Sequence, residues 1–262
     1  MAEIEYQVIA GVAEVMMNRP AVHNAFNAEL IAELIAALQQ AQSDPEVRVV
    51  VLGGHGPSFS AGADLNWMRA MVQASEAENV ADALRLAELM RVLAFLSKPT
   101  IAKVHGSAFG GGVGLVACCD LAIAVPEAKF GLTESKLGLA PAVISPYVIE
   151  AIGARQARPL FLSGELISAE RAHTLGLLHE LVRADQLDAA IAKACAKFLK
   201  AGPQAVLACK QLVDRVSART LAQQQILDQA NAELIAGLRV SAEGQEGLGA
   251  FLDKRTPNWI NG

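Results

Sequence analysis

The chain has 262 residues, 53% of them hydrophobic and only 19% charged, with a formal net charge of −5. Soluble domains average roughly 25% charged residues, so this composition supports a large core and excludes a disordered chain. The acidic balance excludes a broad polyanion-coating surface, and the uncharged, five-glycine run 104–119 falls short of the about 20 apolar residues of a membrane span.

Low charge also predicts apolar surface between subunits, hence a homo-oligomer. The first five residues, Met1-Ala-Glu-Ile-Glu, carry neither a basic nor an apolar leader pattern, and a cytoplasmic protein is expected. Cys118 and Cys119 are adjacent in an apolar run and Cys195 and Cys209 stand alone. Without a Cys-x-x-Cys pair, the adjacent cysteines read as small buried hydrophobes and no metal site is expected.

In chain order, 4–17 reads as a hairpin turning at Gly11. Asn27 is placed to cap a helix with an Ile31, Leu34, Leu38 stripe, ended by Asp44-Pro45. Residues 47–52 read as a buried strand closed by Gly53-Gly54, and 56–64 as a loop. A Ser75/Glu78 capping box opens a helix over 76–97. Strands follow at 100–104 and 121–125, separated by a glycine-rich turn and a short helix. Strand, helix, strand is an α/β rhythm with parallel crossovers. Beyond residue 150, helices are expected at 185–200, 203–215, 219–238 and 241–253, with a short strand near 178–183. The chain divides into a core over 1–195 and a helical region over 196–262 that is not an independent domain.

The run Ser107-Ala-Phe-Gly-Gly-Gly-Val-Gly114 fits neither a P-loop nor a dinucleotide fingerprint. It follows a strand and opens a helix, so its amides can point at a ligand. The loop Phe59-Ser-Ala-Gly-Ala-Asp64 has the same setting. Two such loops suggest two amides converging on one oxygen, against the plain alternative of tight, packed turns. The five histidines are scattered and no Ser-centred hydrolase elbow is present. Glu134, between a glycine turn and an apolar stretch, would become a usable acid/base if buried; a solvated loop carboxylate is the bland alternative.

Several segments in order carry a resemblance over nearly the whole chain. They are Asn18-Arg-Pro with Asn24-Ala-Phe, Phe59-Ser-Ala-Gly-Ala-Asp-Leu, Val104-His-Gly-Ser-Ala-Phe-Gly-Gly-Gly, Cys119-Asp-Leu-Ala-Ile-Ala, Phe130-Gly-Leu-Thr-Glu and Ala250-Phe-Leu-Asp-Lys-Arg. Together they resemble the enoyl-CoA hydratase/isomerase (crotonase) family. The resemblance implies an α/β spiral of ββα units with a helical C-terminal trimerisation region, a homotrimer or hexamer, and an acyl-CoA thioester substrate. CoA is then part of the substrate, and no cofactor, nucleic acid or membrane partner is implied.

Carried over residue by residue, the family's oxyanion-hole amides fall on Ala63 and Gly111. Its second catalytic glutamate falls on Glu134, and its first falls on Gly114, where the sequence departs. Water addition to a 2-enoyl-CoA must then rest on Glu134 alone or on an acid from elsewhere. The alternative is a Δ3,Δ2-enoyl-CoA isomerase with one glutamate as proton shuttle; from another class, a CoA-binding protein without turnover is the third possibility. Phe59 to Met68 and Gly138 to Ile149 are similar to methylglutaconyl-CoA and isohexenylglutaconyl-CoA hydratases, which places hydration of a branched or glutaconyl acyl group first. The resemblance puts CoA along Ala61, Ala63, Asp64 and Leu65 and near Ala21, Asn24 and Ala25, with Phe251 and Lys254 of a neighbouring subunit. The acyl pocket is expected from Trp67, Met68, Val143, Ile144, Ser145 and Tyr147. Ser145, Tyr147 and Lys136 are the candidate donors to a second carboxylate.

Overall fold

The computed structural model describes residues 2–217 and 220–260. Alternating side chains make the first hairpin: β1 (Ile4–Ile9) pairs antiparallel with β2 (Val12–Met17). Ala10 and Gly11, both at positive φ, form the two-residue turn that matches strand twist. Asn27 caps α1 (Ala28–Ser43) by accepting the Leu30 N–H at 2.7 Å, and Leu30, Ile31, Leu34 and Leu38 bury the stripe. β3 (Val49–Gly54) is buried along its whole length and parallel to β2. It runs two residues beyond the expected 47–52. Gly53 and Gly54 remain strand because Met16 Sδ and Asn24 Nδ2 stand 2.9 and 2.7 Å from where their Cβ atoms would be.

Asp64 caps α2 (Leu65–Gln73), a helix the sequence pattern did not announce, and the Ser75/Glu78 capping box opens α3 (Glu76–Ala94). β4 (Thr100–Val104) lies parallel to β3; β5 (Ala108–Phe109) leads into α4 (Gly111–Cys118); β6 (Leu121–Ala124) returns beside β4. β7 (Lys129–Gly131) then runs into a single 3-10 turn, Glu134–Leu137. α5 (Ser145–Ser163) is broken at Gly153, whose φ of 76° only glycine adopts readily. β8 (Leu166–Ser168), α6 (Ala169–Leu175), β9 (Glu180–Leu181) and α7 (Leu187–Leu199) complete the core. The expected division at residue 195 falls inside α7. α8 (Pro203–Val216), α9 (Leu221–Val240) and α10 (Ala242–Leu252) follow. The expected start of the third late helix, residue 219, lies outside the described residues.

The strands form a six-stranded sheet in the order β1-β2-β3-β4-β6-β9 and a three-stranded sheet β5-β7-β8. From β2 to β9 every neighbouring pair in the larger sheet is parallel. This sheet is therefore built by helical crossovers, and the loops after β3 and β4 emerge at the same end. α1 packs on β1 and β2, while α3 lies between α1, α4 and α9. Among the described residues no helix is long and apolar enough to cross a membrane. Cys118, Cys119 and Cys195 are buried, as small core residues.

α10 rests on α2, on α9 and on the Glu134–Leu137 turn. The approach is close: a Cβ on Gly247 would lie 2.2 Å from the Leu137 carbonyl oxygen, and one on Gly138 would lie 2.7 Å from the Glu243 carbonyl. Gly247→Ala is therefore expected to lower stability by about 1–3 kcal/mol, the usual penalty of overpacking. Urea unfolding reads this directly, and an unchanged midpoint would mean that α10 does not press on the turn.

Candidate active site

The loops after β3 and β4 are strapped together by main chain. Phe109 donates its N–H to the Ser60 carbonyl at 2.9 Å, and Ser60 donates to the Ser107 carbonyl at 3.2 Å. A second strap joins Phe26 to the same loop: Phe26 N–H to Gly62 O at 2.6 Å and Asp64 N–H to Phe26 O at 2.8 Å. In this parallel bridge Ala63 faces Phe26 but its own N–H takes no part, and Ala63 is exposed. Gly111 is the first residue of α4, where an N–H has no intrahelical acceptor. Among the described residues, neither amide meets a protein acceptor. Glycines permit the closeness. A Cβ on Gly112 would lie 2.9 Å from Ser60 Cβ, and one on Gly111 would lie 2.6 Å from the Phe26 ring.

Both amides line one cavity of about 420 Å³. Glu134 opens the 3-10 turn on its wall, and a Cβ on Gly110 would lie 3.2 Å from Glu134 Oε1. The carboxyl thus stands against the backbone that leads into Gly111. Its Oε2 is shielded from solvent and has no hydrogen-bond partner among the described residues. Burial pushes its pKa from the ordinary 4.5 up to about 7. Ionising it in this place forfeits hydration, which its own backbone N–H offsets only in part. At neutral pH Glu134 can both take and give a proton.

Gly114 does not face open space. A Cβ there would lie 2.5 Å from Ile144 Cγ2 and 3.1 Å from Met90 Sδ. The family's first glutamate has no room at this position, because Ile144 and Met90 occupy it. Among the described lining residues of this chain Glu134 is the one carboxyl. Trp67, Met68, Val143 and Ile144 line the cavity as expected. Ser145 and Tyr147 do not. Ser145 Oγ donates to the Ala142 carbonyl at 2.7 Å, closing the start of α5, and Tyr147 is packed into the core. Lys136 does line the cavity.

The expected CoA residues divide by burial. Ala21, Ala61, Ala63 and Leu65 are exposed, with Ala61 and Ala63 in the cavity lining. Asn24, Ala25 and Asp64 are buried. Asn24 Nδ2 donates to the His55 and Ser58 carbonyls, each at 2.9 Å, so its side chain is committed to holding the loop. Asp64 caps α2 and accepts from Arg19 at 3.3 Å. Phe251 lines the cavity of its own chain, because α10 packs on α2 and on the Glu134 turn. Lys254 is exposed and outside the lining.

Sequence reasoning missed Phe26, Leu86, Ile235 and Arg239 in this wall. Arg239 is the notable one, a guanidinium in an otherwise apolar surface. A basic residue in the last turn of a helix ordinarily reads as solvated, so no local signal marks it. Among the described residues no cluster of three or more His, Cys, Asp or Glu is arranged to hold a metal ion.

Glu134 has a stability signature. With its pKa raised to about 7 from 4.5, the folded chain holds a proton that the unfolded chain has released in that interval. Stability therefore falls as pH rises from about 4.5 to about 7 and levels above, by about 3 kcal/mol in all. Glu134→Gln removes this loss. Urea unfolding of the two proteins should agree near pH 4 and differ by about 3 kcal/mol near pH 8, the variant being the more stable. Equal stability across this range would place the carboxyl in water.

Comparison with known proteins agrees with this architecture. The enoyl-CoA hydratase/isomerase family model matches residues 7–262. The chain is 34% identical over 244 residues to the 2,3-dehydroadipyl-CoA hydratase of Escherichia coli K12, covering 93% of this chain and 92% of that one. An enoyl-CoA hydratase from Shewanella pealeana superposes with a TM-score of 0.81 at 42% identity, covering 98% of this chain and 96% of that one. One from Mycobacterium avium superposes with a TM-score of 0.87 at 37% identity, covering 99% of both chains. A family match over nearly the full length, together with the crotonase-like α/β fold and the two strapped amide loops, settles the kinship: the chain belongs to the enoyl-CoA hydratase/isomerase family.

Proposed function

We propose that this enzyme adds water across the 2,3 double bond of a 2-enoyl-CoA with a branched or glutaconyl-type acyl group, using Glu134 as its one proton-transferring side chain. The observation that carries the reading is the position of Glu134, shielded in the cavity wall against the backbone that leads to the Gly111 amide. The 2,3-dehydroadipyl-CoA hydratase relative supports an acyl chain with a second carboxylate. The isomerase alternative gains nothing from that relative's name.

In this mechanism the thioester oxygen accepts the N–H groups of Ala63 and Gly111. Glu134, ionised, takes a proton from water as the water oxygen bonds to C3. The π electrons move to the thioester oxygen, and the two amides stabilise the resulting enolate. Glu134 then gives its proton to C2. One water is consumed, no net proton is released, and both new bonds form on the face that Glu134 presents, a syn addition. A pKa of about 7 suits one carboxyl to both halves. A fixed second carboxylate is not required, and the Ile144 packing leaves none at Gly114.

Loss of the enoyl-thioester absorbance on 2-enoyl-CoA substrates measures the reaction. Glu134→Gln should lower kcat by ~10²–10⁴-fold, the usual range for a general acid–base group. In the parent enzyme kcat/KM should rise with pH through an apparent pKa of about 7, since the base must be ionised to accept the water proton. A near-normal rate in the variant removes Glu134 from the mechanism. Tight CoA-thioester binding without turnover would mark a binding protein instead.

The same reading includes a trimer or hexamer assembled through the C-terminal helices. Val213, Val216, Ile226 and Leu234 of α8 and α9 are 62, 77, 72 and 51% exposed, an apolar set that water disfavours. Sedimentation should return three or six times the 27.5 kDa chain mass; a monomer at working concentration overturns the assembly.

A further inference from the structure

The cavity wall formed by Met68, Met71, Leu86, Ile235 and Leu248 is apolar, yet Arg239 stands in it. Its side chain is only 13% exposed. Burying a guanidinium beside an acyl chain is unfavourable unless its donors are used. One amino group is used: Nη1 donates to Asp82 Oδ2 at 2.9 Å and to Asn79 Oδ1 at 3.2 Å. Both partners are themselves fixed. Trp67 Nε1 donates to Asp82 Oδ1 at 2.8 Å, and Asn79 Nδ2 donates to the carbonyls of Met71, Ala74 and Ser75 at 3.1 to 3.2 Å. The Arg239 Cζ lies 6.0 Å from the centre of the Trp67 ring. The guanidinium is therefore held in one orientation by α2 and α3, although it sits on α9.

Arginine presents five N–H donors in a planar fork. Among the described residues, Nε and Nη2 meet no acceptor, and neither is sealed from solvent. These two N–H groups form the edge that a carboxylate takes in a two-point contact. The other cation in the wall, Lys136, packs its stem against Gly164, 3.2 Å from that residue's Cβ position, and has no such frame. We propose that Arg239 is the specificity-determining residue of the acyl pocket, binding the terminal carboxylate of a dicarboxylic acyl-CoA through Nε and Nη2, with Asp82 and Asn79 as positioning residues. This names the substrate class within the hydratase reading above and rests on it.

Saturated thioesters test the recognition without turnover. Glutaryl- and adipyl-CoA are compared with pentanoyl- and hexanoyl-CoA by isothermal titration calorimetry, on the parent enzyme, Arg239→Met, Arg239→Lys and Lys136→Met. The parent should bind at least one dicarboxylic thioester ~10–100-fold more tightly than its methyl-ended counterpart, the range of a charge-assisted hydrogen-bonded contact, and Arg239→Met should abolish that preference while leaving the methyl-ended ligands within ~3-fold. Arg239→Lys, which keeps the charge and loses the fork, should lower the preference and carries the test if the Met variant does not fold. No preference in the parent, a preference that survives in Arg239→Met, or, where that variant does not fold, one unchanged in Arg239→Lys overturns the proposal. So does a preference lost in Lys136→Met alone. Hydration of glutaconyl-CoA and of 2-pentenoyl-CoA, followed in parallel, separates the two readings: binding preference without hydration of either sinks the reaction and leaves the carboxylate site standing, while hydration without preference does the reverse.

Discussion

The site depends on one contact between two loops. The hydrogen bond from Phe109 N–H to Ser60 O fixes the loop after β4 on the loop after β3, and thereby fixes Gly111 relative to Ala63. Neither amide could be aimed by its own loop alone, since each lies where regular pairing has stopped. The parallel sheet brings both loops to one end, and the small residues Ser60, Gly62 and Gly112 let them touch. Asn24, wholly buried and bonded to two carbonyls, ties the 55–58 stretch to the segment that carries Phe26. The placing of these two amides is a property of main chain rather than of side chains.

The same close packing decides the number of acids. Ile144 and Met90 fill the volume beside Gly114, so that position belongs to the core rather than to the reacting water. What remains is Glu134, on a single 3-10 turn squeezed between α10 and the Gly110 backbone. The turn has one residue at positive φ, Gly138, beside the Glu243 carbonyl. C-terminal helix and the Glu134 turn are therefore one packing unit. The exposed apolar faces of α8 and α9 and the seating of α10 belong to the same C-terminal region, and subunit assembly would bear on the candidate base through it.

Much of this was legible in the sequence where local rules suffice. The Asn27 cap and the Ile31, Leu34, Leu38 stripe marked α1, and the Ser75/Glu78 box marked α3 to its first residue. Glu134, Ala63 and Gly111 could be named because their segments have characteristic order and spacing. What stayed hidden involves distant contacts. β3 continues through two glycines because Met16 and Asn24 lie over them, which no window of residues reveals. α2 was obscured because its cap, Asp64, also ends a polar loop. α5 was obscured by Gly153 and Pro159, both helix-breaking in isolation. Arg239 is 160 positions from Asn79 and 157 from Asp82. Its place in the pocket follows only from α9 lying along α3.

The charge-poor composition takes on a different meaning beside this arrangement. A low total of charges leaves each buried one conspicuous, and the cavity contains an acid without a partner and a guanidinium with a fixed one. Partnering sets their chemistry. Glu134, buried in the wall, is held near neutrality and can exchange its proton. Arg239, framed by Asp82 and Asn79, keeps its direction. An aliphatic chain would not need the guanidinium. A pocket that is apolar in the middle, has amides and a proton carrier at one side and a framed cation in its wall matches a thioester whose acyl chain is apolar in the middle and anionic at the tip. The excess hydrophobicity of the chain and its few placed charges thus describe one ligand.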